Sequence, residues 1–286
     1  MRGLAEYVMV GRRQAIIVVL LSGFLPLLYV FSAAVVGLVT MRKGRNEGAL
    51  ILLWSLLPAV LLWSMGDTTP VFLMLGTYLL ASVLRQTVSW QLILLLATGI
   101  GLLIQWSLLL QSDLMQQLEQ VIKDGLQVQL SRSGQATEYT AEQFMDLLLS
   151  IYGASHAFML IISLMIARWW QAMLYNPGGF RQEFHNLRIE PRVMIVLLGL
   201  ILAGLTGVPP LDGWLPLFNV PPIFGGLAVA HWLVAKKNMG TPWLVMCYMT
   251  LVLMAPAIIL LGMADSVLDL RKRVTRQGNG QDDGQN

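Results

Sequence analysis

The chain has 286 residues, 56% of them hydrophobic and 12% charged, with a mean hydropathy of +0.66 and a formal net charge of +3. Average soluble domains carry about twice that share of charge, so a soluble enzyme is disfavoured and a disordered protein is excluded. The single cysteine, Cys247, cannot make an intrachain disulfide, and its apolar surroundings predict a small buried packing residue.

Apolar runs cover residues 14–40, 48–65, 70–84, 88–110, 144–167, 193–208, 215–235 and 242–264. Most have the roughly 16 to 24 residues that a helix needs to cross a bilayer. Backbone in lipid must satisfy its own hydrogen bonds, and no strand-like alternation is present, so these runs predict helices. The expected fold is all-α: a polytopic transmembrane bundle of about eight apolar membrane segments with short interfacial helices. A single domain is expected over residues 1–270.

The first run holds Gly23 and Pro26 near its middle and reads either as one kinked helix or as two arms. A secretory leader is the lesser reading, because the run passes directly to Arg42-Lys43 without a polar leader end. The last run has a similar interruption at Pro256.

Residues 111–143 are acidic and expected outside. Leu114, Leu118, Val121 and Ile122 share one helical face there, with Ser112 as a cap and Gly125 as a stop. A loop is expected from Ser131 to Thr137, followed by a capping box at Thr140 and Gln143. This segment reads either as a cover for hydrophobic helix ends or as a lid over an outward cavity.

Residues 171–190 form an expected cytoplasmic interfacial segment. Asn176-Pro177-Gly178-Gly179 makes the turn, and Phe180, Phe184 and Leu187 then fall beside Arg181, His185 and Arg188. Lipid anchoring is favoured over docking of a peripheral partner. The prolines 209, 210, 216, 221 and 222 forbid an uninterrupted helix, and the stretch reads equally as a cavity wall or a rigid turn.

Alternate loops carry Arg42, Lys43, Arg45, Arg85, Arg168, Arg181, Arg188, Arg192, Lys236 and Lys237, against Asp67, Asp212 and the acidic segment on the other side. The basic set is expected to be cytoplasmic. Breaks near Pro26 and Pro256 would return both basic termini to that side. Trp90, Trp106, Trp169, Trp170, Trp232 and Trp243 suit an interfacial belt. Residues 271–286 are expected as a basic-to-polar disordered tail.

Small residues recur at helical spacing in Gly199, Ala203 and Gly207, in Ala33 and Gly37, and in Gly226 and Ala230. They serve internal packing or the docking of another membrane subunit.

Polar residues within the spans are the candidates for chemistry. The candidate intramembrane polar site is His156 with Ser155, Gln105 and Asn219, facing an external pocket. His231 is assigned to the cytoplasmic boundary, and Asp265 and Asp269 to local pairing with Arg271–Arg273. The sequence has no P-loop, no His-Glu-x-x-His and no Gly-x-Ser-x-Gly. The expectation is therefore no catalytic residues, no cofactor, no metal and no nucleic acid.

Residues Phe184-His185-Asn186-Leu187-Arg188-Ile189-Glu190-Pro191, Gly226-Leu227-Ala228-Val229-Ala230-His231, and Leu261-Gly262-Met263-Ala264-Asp265-Ser266 with Leu270-Arg271-Lys272-Arg273 carry a family resemblance. In order and spacing they resemble the YybS-like family of polytopic bacterial membrane proteins, whose domain has no assigned function. That family is distantly similar to the S components of energy-coupling-factor vitamin transporters. The resemblance implies a bacterial inner-membrane protein with a solute pocket open to the outside, working with separate ATPase or membrane subunits. Ala33-x-x-x-Gly37 is similar to the docking motif of S components. The alternative is a non-catalytic membrane scaffold that recruits protein partners.

Overall fold

The computed structural model describes residues 1–133 and 140–274, and its elements are all α-helices. The N-terminal half comprises α1 (Arg2–Val10), α2 (Arg12–Gly23), α3 (Tyr29–Lys43), α4 (Arg45–Ser64), α5 (Thr69–Thr87), α6 (Trp90–Leu109) and α7 (Ser112–Ser133). Then come α8 (Ala141–Tyr175), α9 (Gly179–Asn186), α10 (Pro191–Leu205), α11 (Leu215–Phe218), α12 (Val220–Lys236), α13 (Thr241–Leu253) and α14 (Ala255–Leu268).

The apolar helices are those of a membrane-embedded protein. The expected count of about eight membrane segments is not confirmed. Among the described residues four helices are long and apolar enough to cross: α4, α6, α8 and the α11–α12 stretch. The α13–α14 pair would make a fifth, but it bends by 109°. The reason is visible in the breaks. The runs that hold Pro26 and Pro256 are broken there, whereas α4 continues through Pro58 as one helix.

The first run is two arms. Pro26 ends α2, and Ser32 of α3 donates from Oγ to the Val19 carbonyl at 3.1 Å, closing a hairpin. Gly23 lets the hairpin tip press on the Pro58 ring of α4. The returning arm, α3, is buried without interruption from Ser32 to Met41, against α2, α4, α5 and α8. It is the central helix, apolar all round as such a position requires.

Its small residues serve that role. A Cβ at Gly37 would meet Ala167 of α8 and Thr77 of α5. Gly226 of α12 likewise packs on Ile258 of α14, so these two stripes close internal contacts. The stripe of Gly199, Ala203 and Gly207 differs: nothing lies within 4 Å of a Cβ built at either of its glycines.

The basic loops gather at one end. Arg85 donates from Nη1 to the Thr40 and Met41 carbonyls at 3.1 Å each. Arg168 pairs with Glu183, and Glu183 also accepts from Trp90 Nε1 at 3.2 Å. Arg12 pairs with Glu47, and Arg42 lies 4.0 Å above the Tyr175 ring centre. Arg2 and Arg271 join this group. Arg2 sits beside α9, and Arg271 donates to the carbonyls of His185 and Leu187.

The first residues of the expected tail are ordered in a helix. Residues 270–274 are helical, and Arg271 is held by two carbonyls and by Asp265 at 3.2 Å. The remainder of the expected tail lies outside the described residues.

The acidic segment also differs in detail. Ser112 is the first helical residue rather than a cap, and α7 runs through Gly125 to Ser133. It continues because the half-buried stripe of Leu114, Leu118 and Ile122 extends to Leu126 past that glycine. Val121, expected on this stripe, is exposed. The expected loop loses Ser131–Ser133 to the helix, and its remaining residues lie outside those described. The capping box is present: Thr140 Oγ1 accepts from the Gln143 amide at 3.2 Å, and Gln143 Oε1 accepts from the Thr140 amide at 2.9 Å.

The tryptophan belt is only partial. Trp106, Trp169 and Trp243 are exposed, but Trp90 and Trp170 are buried. Trp170 stacks on Phe31 at 6.3 Å between ring centres and belongs to the core. Cys247 is half-buried rather than buried.

Candidate functional site

The residues singled out in the sequence do not meet. His156 of α8 is buried, with Nδ1 donating to the Tyr152 carbonyl one turn earlier at 2.8 Å. Its ring lies 4.4 Å from the Tyr152 ring and edge-on to Phe72 at 6.4 Å. Tyr152 in turn shares a 3.3 Å hydroxyl bond with Thr68. Nε2 of His156 is buried with no partner among the described residues, which leaves an unused acceptor in an aromatic wall. Its neighbour Ser155 is exposed, and its Oγ returns to the Tyr152 carbonyl at 2.7 Å.

Gln105 of α6 belongs elsewhere. Its Nε2 donates to the Gly213 carbonyl at 3.1 Å, tying α6 to the proline-rich stretch. Nearby, Gly101 and Gly153 bring α6 and α8 close together: a Cβ on Gly101 would stand 2.6 Å from the Gly153 carbonyl. Asn219 bonds its own turn, with Nδ2 donating to the Leu215 carbonyl at 2.9 Å.

Gln105 lines a polar cavity of about 460 Å³ with Asp146, Ser150, Pro210, Asp212 and Trp214. Of the two readings of the proline-rich stretch, a cavity wall is therefore what the fold contains. His156, Ser155 and Asn219 do not line this cavity.

The larger cavity lies at the basic end, about 660 Å³ between α8, α9, α12 and α13. Small-molecule sites commonly hold about 300–1,000 Å³. Its floor is α8, with Met165, Ile166 and Met173, and Trp169 stands at the side. Helix α9 forms a wall because the Asn176–Gly178 turn reverses the chain. Gly178, at φ +87°, takes the left-handed conformation that the reversal needs. Glu183, held by Arg168 and Trp90, then fixes the opposite face of α9. Phe180 and Phe184 stack at 6.1 Å.

The rim is cationic. Arg2, Arg181, His185 and His231 line the cavity, and no Asp or Glu does. His231 Nε2 lies 3.0 Å from the Tyr248 hydroxyl of α13, and its ring meets Phe184 edge-on at 5.2 Å. Burial lowers the pKa of His185, and the nearby charges of Arg181, His231 and Arg271 lower it further. An anion at this rim would reverse those repulsions.

Sequence reasoning placed His231 and His185 at a boundary without joining them. The pattern held a usable signal: Phe184-His185 and His231 each end an apolar face beside cations, and the turn at Asn176 folds one onto the other.

No family model, no curated protein and no solved structure matches this chain.

Proposed function

We propose that the chain is a non-catalytic, multi-pass protein of the bacterial inner membrane that binds a small ligand, as a solute-binding or transport component. One observation carries this reading: the 660 Å³ chamber with apolar walls and a cationic rim at the end where the basic loops gather. The positive-inside rule supports a cytoplasmic position for that end. The resemblance to the YybS-like family and, distantly, to S components supports solute binding as a role, but the outward-open pocket it implies differs from the position of this chamber. Because the sequence contains no P-loop, coupling to ATP would fall to separate subunits.

The test is purification of the full chain in mild detergent, followed by mass spectrometry of the small molecules retained. A defined molecule at near-equal ratio to protein, lost when Met173→Trp fills the chamber, is expected. A protein that retains nothing beyond bulk detergent and averaged membrane lipid would remove the reading.

A second reading is a scaffold that recruits membrane partners. It is favoured by Gly199 and Ala203 on the exposed side of α10, where nothing lies within 4 Å of a Cβ built at Gly199; Gly207 falls in the turn beyond the helix. Crosslinking from cysteines on α10 would then recover a stable partner.

A further inference from the structure

We propose that the chamber between α8, α9, α12 and α13 is a site for an anionic phospholipid, its phosphate at the rim and an acyl chain along α8. This inference rests on the chamber being the ligand site, and it names the ligand's chemistry.

The first argument is charge. The lining offers Arg2, Arg181, His185 and His231 with no carboxylate among them. The acids nearby have other partners. Glu183 serves Arg168 and Trp90, and Asp265 and Asp269 hold Arg271 and Arg188, whereas Glu6 pairs with the rim's own Arg2 at 2.8 Å, so the unmet charge rests on Arg181. Arg181 has no ion pair among the described residues. A rim of this kind has unmet positive potential and selects an anion.

The second argument is the wall chemistry. A free inorganic anion would gain nothing from Met165, Ile166, Met173, Trp169 or Phe180, yet apolar side chains of this kind form more than half of the lining. Flexible methionines and aromatic faces fit a hydrocarbon chain of no fixed shape. Headgroup and chain together account for both halves of the site, as in basic pockets between membrane helices that hold acidic lipids.

The third argument is access from the bilayer. Helix α13 buries none of its own residues and packs on α12 and α14 alone among its principal contacts. Its Tyr248 contributes to the chamber through the bond to His231. A lipid moving in the membrane plane meets this thin wall rather than the packed core around α3.

The test uses the full chain in phosphatidylcholine bilayers titrated with brominated phosphatidylglycerol, whose bromines quench nearby tryptophan. The readout is the part of the fluorescence lost in Trp169→Phe. Expected is quenching of that part at a low fraction of brominated phosphatidylglycerol, with brominated phosphatidylcholine needed at several times the amount. Arg181→Gln with His185→Gln should raise the fraction needed by about fivefold, from the loss of one cation, Arg181, at about one kcal/mol near a membrane surface, the neutral His185 giving up only a hydrogen bond.

Met173→Trp, which fills the chamber and leaves the rim intact, should abolish the preference for phosphatidylglycerol, as read by lipids co-purifying with the protein. Inorganic phosphate at millimolar level should not reverse the quenching.

Equal quenching by the two lipids overturns the proposal, as does indifference to the rim substitutions in protein with an unchanged helical spectrum. Reversal by inorganic phosphate overturns it in favour of a free anion. If a non-lipid solute is retained while the two lipids quench alike, the ligand-binding reading stands and the lipid assignment falls.

Discussion

Gly226 of α12 faces the backbone carbonyl of Ile258 on α14, with no room for a Cβ between them. The same contact is mirrored by Gly262 of α14 against the Pro222 carbonyl. Two glycines, one on each helix, therefore set the distance at which the C-terminal pair closes on the bundle. Gly226→Ala should cost about 1–3 kcal/mol by overpacking, despite alanine's better helix propensity. Gly199→Ala has open space and should be neutral or stabilising by up to about 1 kcal/mol. Thermal unfolding of both in detergent, followed by circular dichroism, separates them, and equal midpoints would contradict the packing argument.

Arg271 and Asp265 form a pair that is nearly enclosed, with side chains 13% and 2% exposed. Burial pulls the Arg271 guanidinium below its ordinary pKa, and the Asp265 carboxylate acts against that. Breaking such a pair from one side leaves the other charge stranded. Asp265→Asn should destabilise by about 3 kcal/mol, the low end of the usual range, because the His185 and Leu187 carbonyls still receive the guanidinium. Deuterium exchange should rise at residues 185–190 and in α14 first. No change in these two segments would mean that the pair does not anchor the C-terminal end.

His185 gives a pH dependence with a defined sign. Its folded pKa lies below the ordinary histidine value of 6.5, chiefly through burial and then through Arg181, His231 and Arg271. The unfolded chain therefore takes up the proton first as pH falls. Stability from this residue is full above about pH 6.5 and declines below it. His185→Gln should flatten the stability profile between about pH 7 and 5 relative to the native chain. An unchanged slope would show that His185 does not titrate differently on folding.

Sidedness is open to direct labelling. In a Cys247→Ala background, Arg181→Cys should resist a membrane-impermeant maleimide added to intact cells, and Gln120→Cys on α7 should react. Labelling of Arg181→Cys from outside would invert the proposed orientation.

What the sequence could reveal depended on whether a signal was local. The turn at Asn176–Gly179, the Thr140–Gln143 capping box and the break at Pro26 each rest on a few neighbouring residues, and all three are present. Span number was not legible, because apolar length does not distinguish a crossing helix from a folded-back arm such as α2–α3. Trp170 illustrates the same limit. Next to Trp169 at a basic boundary it reads as interfacial, yet one position's rotation around α8 carries it into the core beside Phe31.

The site suffered most. His156, Gln105 and Asn219 were chosen as polar residues in apolar runs, but each finds its first bond to a nearby carbonyl: Tyr152, Gly213 and Leu215. The chamber depends instead on residues 2, 181, 185, 231 and 248, brought together by tertiary folding. The local pattern at His185 and His231 hints at the rim, but no spacing in the chain joins these residues to positions 2 and 248.

Helix α8 has 35 residues without a break, about 52 Å at the α-helical rise, against the roughly 40–45 Å of a bilayer with its headgroups. Asp146 near its start lines the polar cavity by the proline-rich stretch, and Trp169 near its end lines the chamber at the basic end. One rod thus contributes a wall to each. A tilt of that rod is a lever stroke: whatever reshapes one compartment displaces a side of the other, with no hinge in between to absorb the motion.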